Sequence, residues 1–446
     1  MRPIRPLCVC LTLLLLSACG DEALPVDLAT TDSRSADVSD GITAADTQAP
    51  DTPSEVDTAG SDVDDSATDL PSPSDVPSDT DALLELPSED TVEPPPEPYG
   101  LAVARYFAPI WYQDTANGGP DGLGAKADIP TTVDYDGDRQ HNNNWENLVH
   151  HPALPAIYWS LVATQTHYYL TYAHYHPRDW EQLCTGLFTE CHEGDLEEIQ
   201  LVVQREDDGP GIVRVLRSHH HGHTSTWALD ETIEGTEISI DGAFDFADAE
   251  GNVSPVQTEN HHHVRIFAEA KGHGVAPCKA AENFFKPEGI LFMSCPNSES
   301  GTFPGDDGLP LFPDPAVAPV IPAGQEATME PATYTLVSME KTLWQWRSEL
   351  GKGALFYGDS AWKYTGAQGA PFSLSESIGG RFDADQFLND ASSGRAPWNL
   401  SMDGSELGDA FFDPAWAYSE AIDFPEEMSL VYTAHPYLPS VVDTPQ

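Results

Sequence analysis

The segment that decides the fold runs from residue 172 to 203 and reads "YAHYHPRDWEQLCTGLFTECHEGDLEEIQLVV". Its two ends are rich in aromatic and β-branched residues, which is typical of strands, and its middle is polar. The pattern His-x-x-Asp-x-Glu occurs twice, as "HPRDWE" (176–181) and as "HEGDLE" (192–197). The sequence therefore predicts a strand, a loop and a second strand, with polar side chains at both ends of the loop.

Cys184 and Cys191 lie between the two copies of this pattern. A disulfide between them would hold the ends of the loop together. The side chains that would then converge are Asp179, His192, Asp195 and Glu197. Three carboxylates and one imidazole form an oxygen-rich ligand set that suits Mg²⁺, Ca²⁺ or Mn²⁺. The alternative interpretation is a solvated hairpin that carries incidental acidic residues.

Further strand-like runs surround this segment, and Gly, Pro and Asp clusters separate them. These runs cover residues 156–164, 166–175, 198–205, 211–219, 236–240 and 263–270. The helical signals are few, and the best of them covers residues 338–351. The expected fold is thus dominated by β-structure, with an antiparallel, jelly-roll-like β-sandwich as its core and a few helices and long loops around it.

The first residues have the pattern of an export signal. Arg2 and Arg5 precede an apolar run that ends in "LSAC" (16–19) and is too short to be a spanning helix. This ending resembles a bacterial lipobox, which implies a signal peptide at 1–18 and a lipid anchor on Cys19; ordinary cleavage that leaves Cys19 free is the alternative. We expect a lipid-anchored protein of the cell envelope, with the outer membrane as the default destination.

Composition divides the rest of the chain in two. Residues 19–98 are rich in Asp, Ser, Thr and Pro and contain Arg34 as their single basic residue, which predicts a disordered acidic tether. All ten tryptophans follow, so residues 99–446 are expected to form one β-rich folded region. The formal net charge of -53 argues against nucleic acid as a partner, because binding it requires a cationic face.

Four cysteines belong to the expected folded region, namely Cys184, Cys191, Cys278 and Cys295. In an exported protein they predict two disulfides, for which three pairings are compatible with the sequence. The local pairs 184–191 and 278–295 are the simplest. A zinc site is the competing interpretation, but the spacing Cys-x-x-Cys is missing.

Residues 168–203 resemble the core of the necrosis- and ethylene-inducing-like proteins, which are secreted microbial cytolysins, or of a related β-sandwich family. The residues that match the family's first strand are Tyr172, Ala173, Tyr175, Pro177 and Asp179, with Arg178 in the place of Lys. Those that match its Gly-His-Arg-His-Asp-Trp-Glu heptapeptide are His192, Asp195 and Glu197, while Cys191, Glu193, Gly194 and Leu196 depart from it. A weaker match is the Gly272-His273 pair after a strand-like run.

The resemblance implies that Asp179, His192, Asp195 and Glu197 surround a divalent cation on a β-sandwich. It also implies that the cation organises the recognition of a polar headgroup or a glycan. The second histidine and the tryptophan of the heptapeptide are missing here, which argues against the cytolytic activity more than against the metal site.

Two further clusters are candidate metal sites. Asp134, Asp136 and Asp138 alternate as in a calcium loop, but Arg139 and Trp145 occupy positions that an EF-hand reserves for Gly and Glu, so an acidic turn is the alternative. The second cluster comprises the histidine runs at 219–223 and 261–263. His219, His221 and His223 share a face if they form a strand, and three imidazoles can hold zinc or another transition metal; exposed strand ends are the alternative.

We therefore expect a surface lipoprotein whose β-domain binds a divalent cation and recognises a headgroup or glycan, and which is not an enzyme. One alternative is a metal-dependent hydrolase that uses His219, His221 or His273 beside the carboxylates. Another is an envelope binding protein whose metal is purely structural.

Overall fold

The computed structural model describes residues 99–180, 191–207, 209–220, 223–278, 309–313, 332–366, 372–383, 394–402 and 407–438. All of them belong to one compact unit, Thr91–Gln446. The expected signal peptide, Cys19 and the tether lie outside these residues and stay predictions. No helix in the described ranges is long and apolar enough to cross a membrane.

Strands dominate the described residues. The strands are β1 (Ile110–Gln113), β2 (Ala156–Thr164), β3 (His167–Asp179), β4 (His192–Glu206), β5 (Gly209–His220), β6 (His223–Ala228), β7 (Glu234–Gly235), β8 (Phe246–Ala247), β9 (Val253–Ser254), β10 (His263–Ala268), β11 (Val275–Pro277), β12 (Leu309–Pro313), β13 (Ala332–Ser338), β14 (Ile422–Asp423) and β15 (Tyr432–Ala434). The α-helices are α1 (Tyr99–Tyr106), α2 (Gly124–Ala127), α3 (Asn144–Asn147), α4 (Asp409–Phe412) and α5 (Pro414–Ala421). Short 3₁₀ turns cover Pro120–Gly122, Leu343–Trp346, Gly358–Ser360 and Pro397–Asn399.

Thirteen of these strands form one sheet. Its order is β6-β5-β4-β3-β2-β13-β12-β1-β10-β8-β9, with β11 beside β10 and β15 beside β2. The strands β2 to β6 are joined by antiparallel pairings, as expected from consecutive hairpins. The long β3–β4 pair, which contains the segment 172–203, is near the middle of this antiparallel part.

The prediction of a mostly β fold with few helices is confirmed. The sheet is mixed, however, because β1 pairs with β10, β12 with β13, and β13 with β2 in parallel. These pairings join distant parts of the chain, and no local sequence pattern records them. The helix expected at 338–351 is reduced to the 3₁₀ turn Leu343–Trp346.

Both faces of β3 and β4 are buried. Leu170 and Tyr172 belong to one hydrophobic cluster, whereas Ala173 and Tyr175 belong to another. Because successive side chains of a strand point to opposite faces, the two clusters cover the two faces of the sheet. The polar residues at the ends of β3 and β4 are therefore inside the protein and require polar partners.

Two cysteines lie in the described ranges, Cys191 and Cys278, and both are buried and disulfide-bonded. Cys184 and Cys295 lie outside these ranges. The pairing 184–191 and 278–295 stays a prediction.

Candidate functional site

The antiparallel pairing of β3 and β4 places the two copies of the His-x-x-Asp-x-Glu pattern beside each other. Asp179 is opposite His192, and His176 is opposite Asp195. One step further in the same register, His174 is opposite Glu197. All the motif residues from His192 to Glu197 are buried. The polar residues therefore do not end a solvated hairpin but continue the two strands into the interior.

His273 connects this motif with a residue from another part of the chain. Its Nδ1 lies 3.0 Å from Asp195 Oδ2, and its Nε2 lies 3.1 Å from Asp128 Oδ1. Both ring nitrogens face carboxylates, which only accept hydrogen bonds when ionised, so both nitrogens donate and His273 is an imidazolium. His273 and Asp128 are completely buried. An Asp128–His273–Asp195 bridge thus forms the centre of the site.

The pKa of His273 reflects this bridge. Burial lowers the pKa, but the hydrogen bonds and negative charges of Asp128 and Asp195 outweigh it and raise the pKa to about 9. The site therefore holds a positive charge at neutral pH. That charge balances part of the negative charge of the two buried carboxylates.

Asp128 was missed by sequence reasoning, although it accepts several hydrogen bonds at the centre of the site. Besides His273, its donors are Trp180 Nε1 at 2.8 Å, the Lys271 amide at 2.9 Å and the Ala116 amide at 2.7 Å. The only local signal is a single acidic residue in the sequence "GAKADIP" (124–130). Such a signal does not distinguish a buried aspartate from an exposed one.

The turn that presents His273 has an unusual backbone. Lys271 and His273 have φ values of 71° and 55°, which lie in the left-handed region that residues other than Gly rarely adopt. The Lys271 amide donates to Asp128, and the Lys271 carbonyl accepts from the Trp180 amide at 3.2 Å. Such strain persists only where surrounding contacts fix the conformation, and here the contacts to Asp128 and Trp180 do so.

Two neutral histidines of β3 continue the network. The His176 ring stacks on the His273 ring, with centroids 3.7 Å apart and planes 2° from parallel. His176 Nδ1 donates to the Ala127 carbonyl at 3.3 Å, so its Nε2 accepts from His174 Nδ1 at 2.7 Å. Burial and the charge of His273 lower the pKa of both rings, that of His174 to about 3.

Asp179 and His192 form a further carboxylate–imidazole contact of the site. Asp179 Oδ2 lies 3.8 Å from His192 Nε2. Burial lowers the pKa of His192, and the negative charge of Asp195 together with a hydrogen bond to the Glu193 backbone opposes this only in part. The Nδ1 of His192 is buried and has no hydrogen-bond partner among the described residues. A neutral imidazole with an unsatisfied nitrogen is the form in which histidine binds a metal ion.

The residues around His192 thus fit a divalent cation in part. His192 and Asp179 offer a neutral imidazole and a carboxylate, whereas Asp195 is engaged by His273. Within the described ranges, no group of three or more His, Cys, Asp or Glu side chains is arranged to hold a metal ion. A bound cation would supply positive charge for the oxygen atoms of a polar ligand. The four-ligand set stays a prediction.

The acidic turn at 134–138 uses its carboxylates locally. Asp136 Oδ1 accepts from the Asp138 amide at 3.2 Å, and Asp136 Oδ2 accepts from Asn147 Nδ2 at 2.7 Å. Asp138 Oδ1 accepts from the Gln140 amide at 2.7 Å, and the Asp134 carbonyl accepts from the Gly137 amide at 2.9 Å. These contacts are those of a hydrogen-bonded turn. Calcium binding at this turn stays a prediction.

The three histidines of the hydrolase alternative have different surroundings. His273 contacts Asp195 as described above, and His221 lies outside the described residues. His219 Nδ1 lies 2.9 Å from Glu198 Oε1, and its Nε2 lies 3.1 Å from Arg395 Nη1. His219 therefore belongs to a separate polar group, formed with Glu198 and Arg395.

Comparison with known proteins gives structural matches only. No protein-family model matches the chain, and no curated protein matches it. The structural matches include the non-toxic HaNLP3 protein, with 14% identity over 46% of this chain and 78% of HaNLP3, at a TM-score of 0.23. They also include NLPPya in complex with mannosamine, with 14% identity over 47% of this chain and 77% of NLPPya, at a TM-score of 0.23.

A third match is necrosis and ethylene inducing protein 2 from the causal agent of cocoa's witches' broom disease. It is 16% identical over 39% of this chain and 66% of that protein, with a TM-score of 0.21. These proteins belong to the family that residues 168–203 resemble. TM-scores below 0.5 carry no argument about function, so the site has to be interpreted from its own residues.

Proposed function

We propose that the folded region is a binding module that holds a divalent cation at the paired ends of β3 and β4. The observation that supports this proposal is the buried His192 ring. It is neutral, its Nδ1 lacks a hydrogen-bond partner among the described residues, and Asp179 lies 3.8 Å from its other nitrogen. Asp179 and His192 are the proposed primary ligands, and Asp195 and Glu197 complete the set when the cation competes with His273 for Asp195.

The cation organises the recognition of a polar headgroup or glycan in this proposal. Hard divalent cations keep open positions for oxygen ligands, and sugar hydroxyls or headgroup oxygens can occupy them. The amino sugars in the NLPPya complexes, mannosamine and glucosamine, provide convenient probes and no more than that. We propose a binding protein rather than the hydrolase, because His273 is held between the carboxylates of Asp128 and Asp195 and His219 is held between Glu198 and Arg395.

Thermal unfolding of the full-length chain tests the cation. After treatment with a chelator, we expect Ca²⁺, Mg²⁺ or Mn²⁺ to raise Tm, since a ligand at a hundred times its Kd stabilises the native state by about 2.7 kcal/mol. Asp179→Asn and His192→Gln should abolish the shift. Asp359→Asn is the matched control, because Asp359 is an exposed acid. A shift that is absent in the wild type, or unchanged in Asp179→Asn, refutes the cation site.

A calorimetric titration tests the ligand. Glucosamine and mannosamine should bind in the presence of the effective cation and not in the presence of chelator. Binding that is equally strong with chelator would separate ligand recognition from the cation and contradict the proposal.

The proposal includes an anchor on Cys19 that places the module on the cell envelope, with the outer membrane as its default location. The lipobox-like ending "LSAC" supports it. Metabolic labelling with a fatty acid tests it: the wild-type chain should incorporate the label, and Cys19→Ser should not. An unlabelled wild-type chain would overturn the anchor without affecting the cation site.

A further inference from the structure

A cavity of about 340 Å³ lies where β10 begins. Ala102 of α1, Pro313 of β12 and Leu336 of β13 form the apolar part of its wall. His263, the first residue of β10, also lines the cavity, whereas His273 of the candidate site follows the other end of this strand. The five residue steps along β10, at roughly 3.3 Å each, cover about 17 Å, so the cavity and the candidate site are at opposite ends of the strand.

Three rings, those of Tyr106, His262 and His263, line the cavity and contact one another in sequence. Tyr106 stacks on His262, with ring centroids 4.0 Å apart and planes 11° from parallel. The rings of His262 and His263 have centroids 4.3 Å apart and are tilted by 42°. Aromatic rings attract other rings in offset or edge-to-face contacts, with centroids roughly 4.5–7 Å apart. This row of rings therefore offers favourable contacts to a planar aromatic molecule.

Backbone carbonyls fix the protonation of both imidazoles. Nδ1 of His263 donates to the Ala108 carbonyl at 2.6 Å. In the same way, Nδ1 of His262 donates to the Glu259 carbonyl at 2.8 Å. Burial lowers the pKa of both rings, that of His263 to about 4, so both are neutral at pH 7. A neutral imidazole that carries its proton on Nδ1 is a hydrogen-bond acceptor at Nε2.

The Nε2 acceptor of His263 is a polar group that a ligand in the cavity can use. His263 is 7% exposed, and within the part of the chain that the structure describes no hydrogen bond engages this atom. A buried acceptor without a donor is unfavourable, and an O–H or N–H group of a ligand would supply the donor. Nε2 of His262 offers a second acceptor on a half-buried ring.

We infer that the cavity binds a small, neutral, planar aromatic molecule that carries a hydrogen-bond donor, of the phenol or indole type. The row of rings and the apolar wall hold the body of this molecule, and Nε2 of His263 accepts from its O–H or N–H group. Small-molecule sites commonly have this composition, which is mostly apolar and aromatic with a few polar groups, and volumes of about 300–1,000 Å³.

Other classes of ligand fit the cavity less well. A sugar carries several hydroxyl groups, and the apolar wall would leave some of them without a partner. An anion would face the lone pairs of two neutral imidazoles, in a chain with 73 acidic and 20 basic residues. A transition metal ion needs further ligands, and no described group of three His, Cys, Asp or Glu side chains provides them. Arg105 also lines the cavity, and a guanidinium plane can stack on an aromatic face without using its N–H groups.

This ligand site goes beyond the proposed cation site and does not depend on it. Binding in the cavity requires no metal, so it can be measured in the presence of chelator. If indole binds there while Ca²⁺, Mg²⁺ and Mn²⁺ leave Tm unchanged, only the proposal for Asp179 and His192 is lost.

Indole and benzofuran, an isostere in which an oxygen replaces the N–H group, test the inference. Each is titrated against the full-length chain with chelator present, and binding is followed by saturation-transfer NMR. We expect indole to bind roughly 10-fold or more tightly than benzofuran, because benzofuran leaves the acceptor of His263 without a donor. Glucose should not bind under these conditions.

Two variants separate the acceptor from the shape of the cavity. His263→Phe keeps a ring and removes the acceptor, so indole and benzofuran should bind this variant equally. Leu336→Trp should fill the cavity and abolish the binding of both. The matched controls are His151→Phe and Leu154→Trp, because His151 and Leu154 are exposed and do not line the cavity. Both controls should bind indole as the wild type does.

The inference is overturned if indole does not bind, if the preference for indole over benzofuran survives in His263→Phe, or if Leu154→Trp loses binding as fully as Leu336→Trp. Glucose binding that His263→Phe abolishes would assign the cavity to a sugar instead. Zn²⁺ binding that depends on His263, without binding of indole, would assign it to a metal and equally contradict the inference. If His263→Phe does not fold, the comparison of Leu336→Trp with Leu154→Trp decides whether indole occupies the cavity.

Discussion

Replacing Asp128 by Asn tests the buried Asp128–His273–Asp195 bridge. The substitution keeps the shape of the side chain and removes its charge. In the wild type, Asp128 Oδ2 accepts from the Ala116 amide at 2.7 Å, and Oδ1 accepts from Trp180, Lys271 and His273. If the Asn amide nitrogen took the Oδ2 position, two donors would face each other, the amide nitrogen and the Ala116 amide. If it took the Oδ1 position, it would face the three donors Trp180, Lys271 and His273.

The expected cost follows from these contacts. Breaking a buried ion pair by removing one partner costs about 3–5 kcal/mol, and a buried amide left without an acceptor costs about 1–3 kcal/mol. His273 retains Asp195 as a counter-charge, so we expect Asp128→Asn to lower the free energy of unfolding by about 3–5 kcal/mol. That is a large part of the stability of an ordinary domain, which is about 5–15 kcal/mol.

Urea unfolding at neutral pH, followed by tryptophan fluorescence, measures this cost. Asp359→Asn is the control, and as an exposed acid it should change the stability by less than about 0.5 kcal/mol. The double variant Asp128→Asn with His273→Gln should be less unstable than the sum of the single variants, because the two residues share one interaction. A loss below about 1 kcal/mol for Asp128→Asn, or strict additivity in the double variant, would refute the bridge.

Three further predictions concern the same region. The pKa of His273 is raised to about 9, so its contribution to stability is complete below pH 6.5 and is lost as pH rises through 9. In the presence of chelator, the free energy of unfolding of the wild type should fall by about 3 kcal/mol over this pH range relative to that of His273→Gln. The pKa of His174 is lowered to about 3, so the unfolded state binds a proton that the native state does not; stability should fall below pH 6.5, and His174→Gln should reduce the slope of stability against pH by about one proton. Gly394→Ala should cost about 1–3 kcal/mol in urea unfolding, since its Cβ would lie 2.3 Å from the Gly194 carbonyl oxygen, whereas Gly358→Ala, whose nearest neighbour would be at 3.6 Å, should cost less than about 1 kcal/mol.

Much of the strand pattern could be predicted from the sequence. The run at 156–164 has the bounds of β2, and the run at 263–270 contains β10. β4, in contrast, begins at His192 and not at residue 198, because the polar residues 192–197 are strand residues buried on both faces. Local propensity assigns such residues to a loop, since it contains no information about the distant partners that stabilise them. The run at 236–240 is not a strand for a similar reason, as only Glu234–Gly235 pairs there.

The site was accessible from the sequence only in part. The period of two and the repeated motif predict that the two polar ends meet, and the β3–β4 register places them together. Asp128 could not be predicted, because it joins the site through a tertiary contact to His273, which is 145 residues away in the sequence. A single Asp or Arg in the sequence is compatible with many structural roles, and only the folded structure shows which role it has.

Anomalous diffraction from a crystal of the chain soaked in Mn²⁺ is the most direct measurement of the cation site. The proposal predicts a peak within about 2.6 Å of a His192 ring nitrogen and of an Asp179 carboxylate oxygen, which is the range of hard-cation ligand distances. A peak at this place would establish the cation and show whether Asp195 has exchanged His273 for the metal. A crystal in which His192 has no peak at saturating Mn²⁺, while the Asp128–His273–Asp195 bridge is intact, would contradict the central claim.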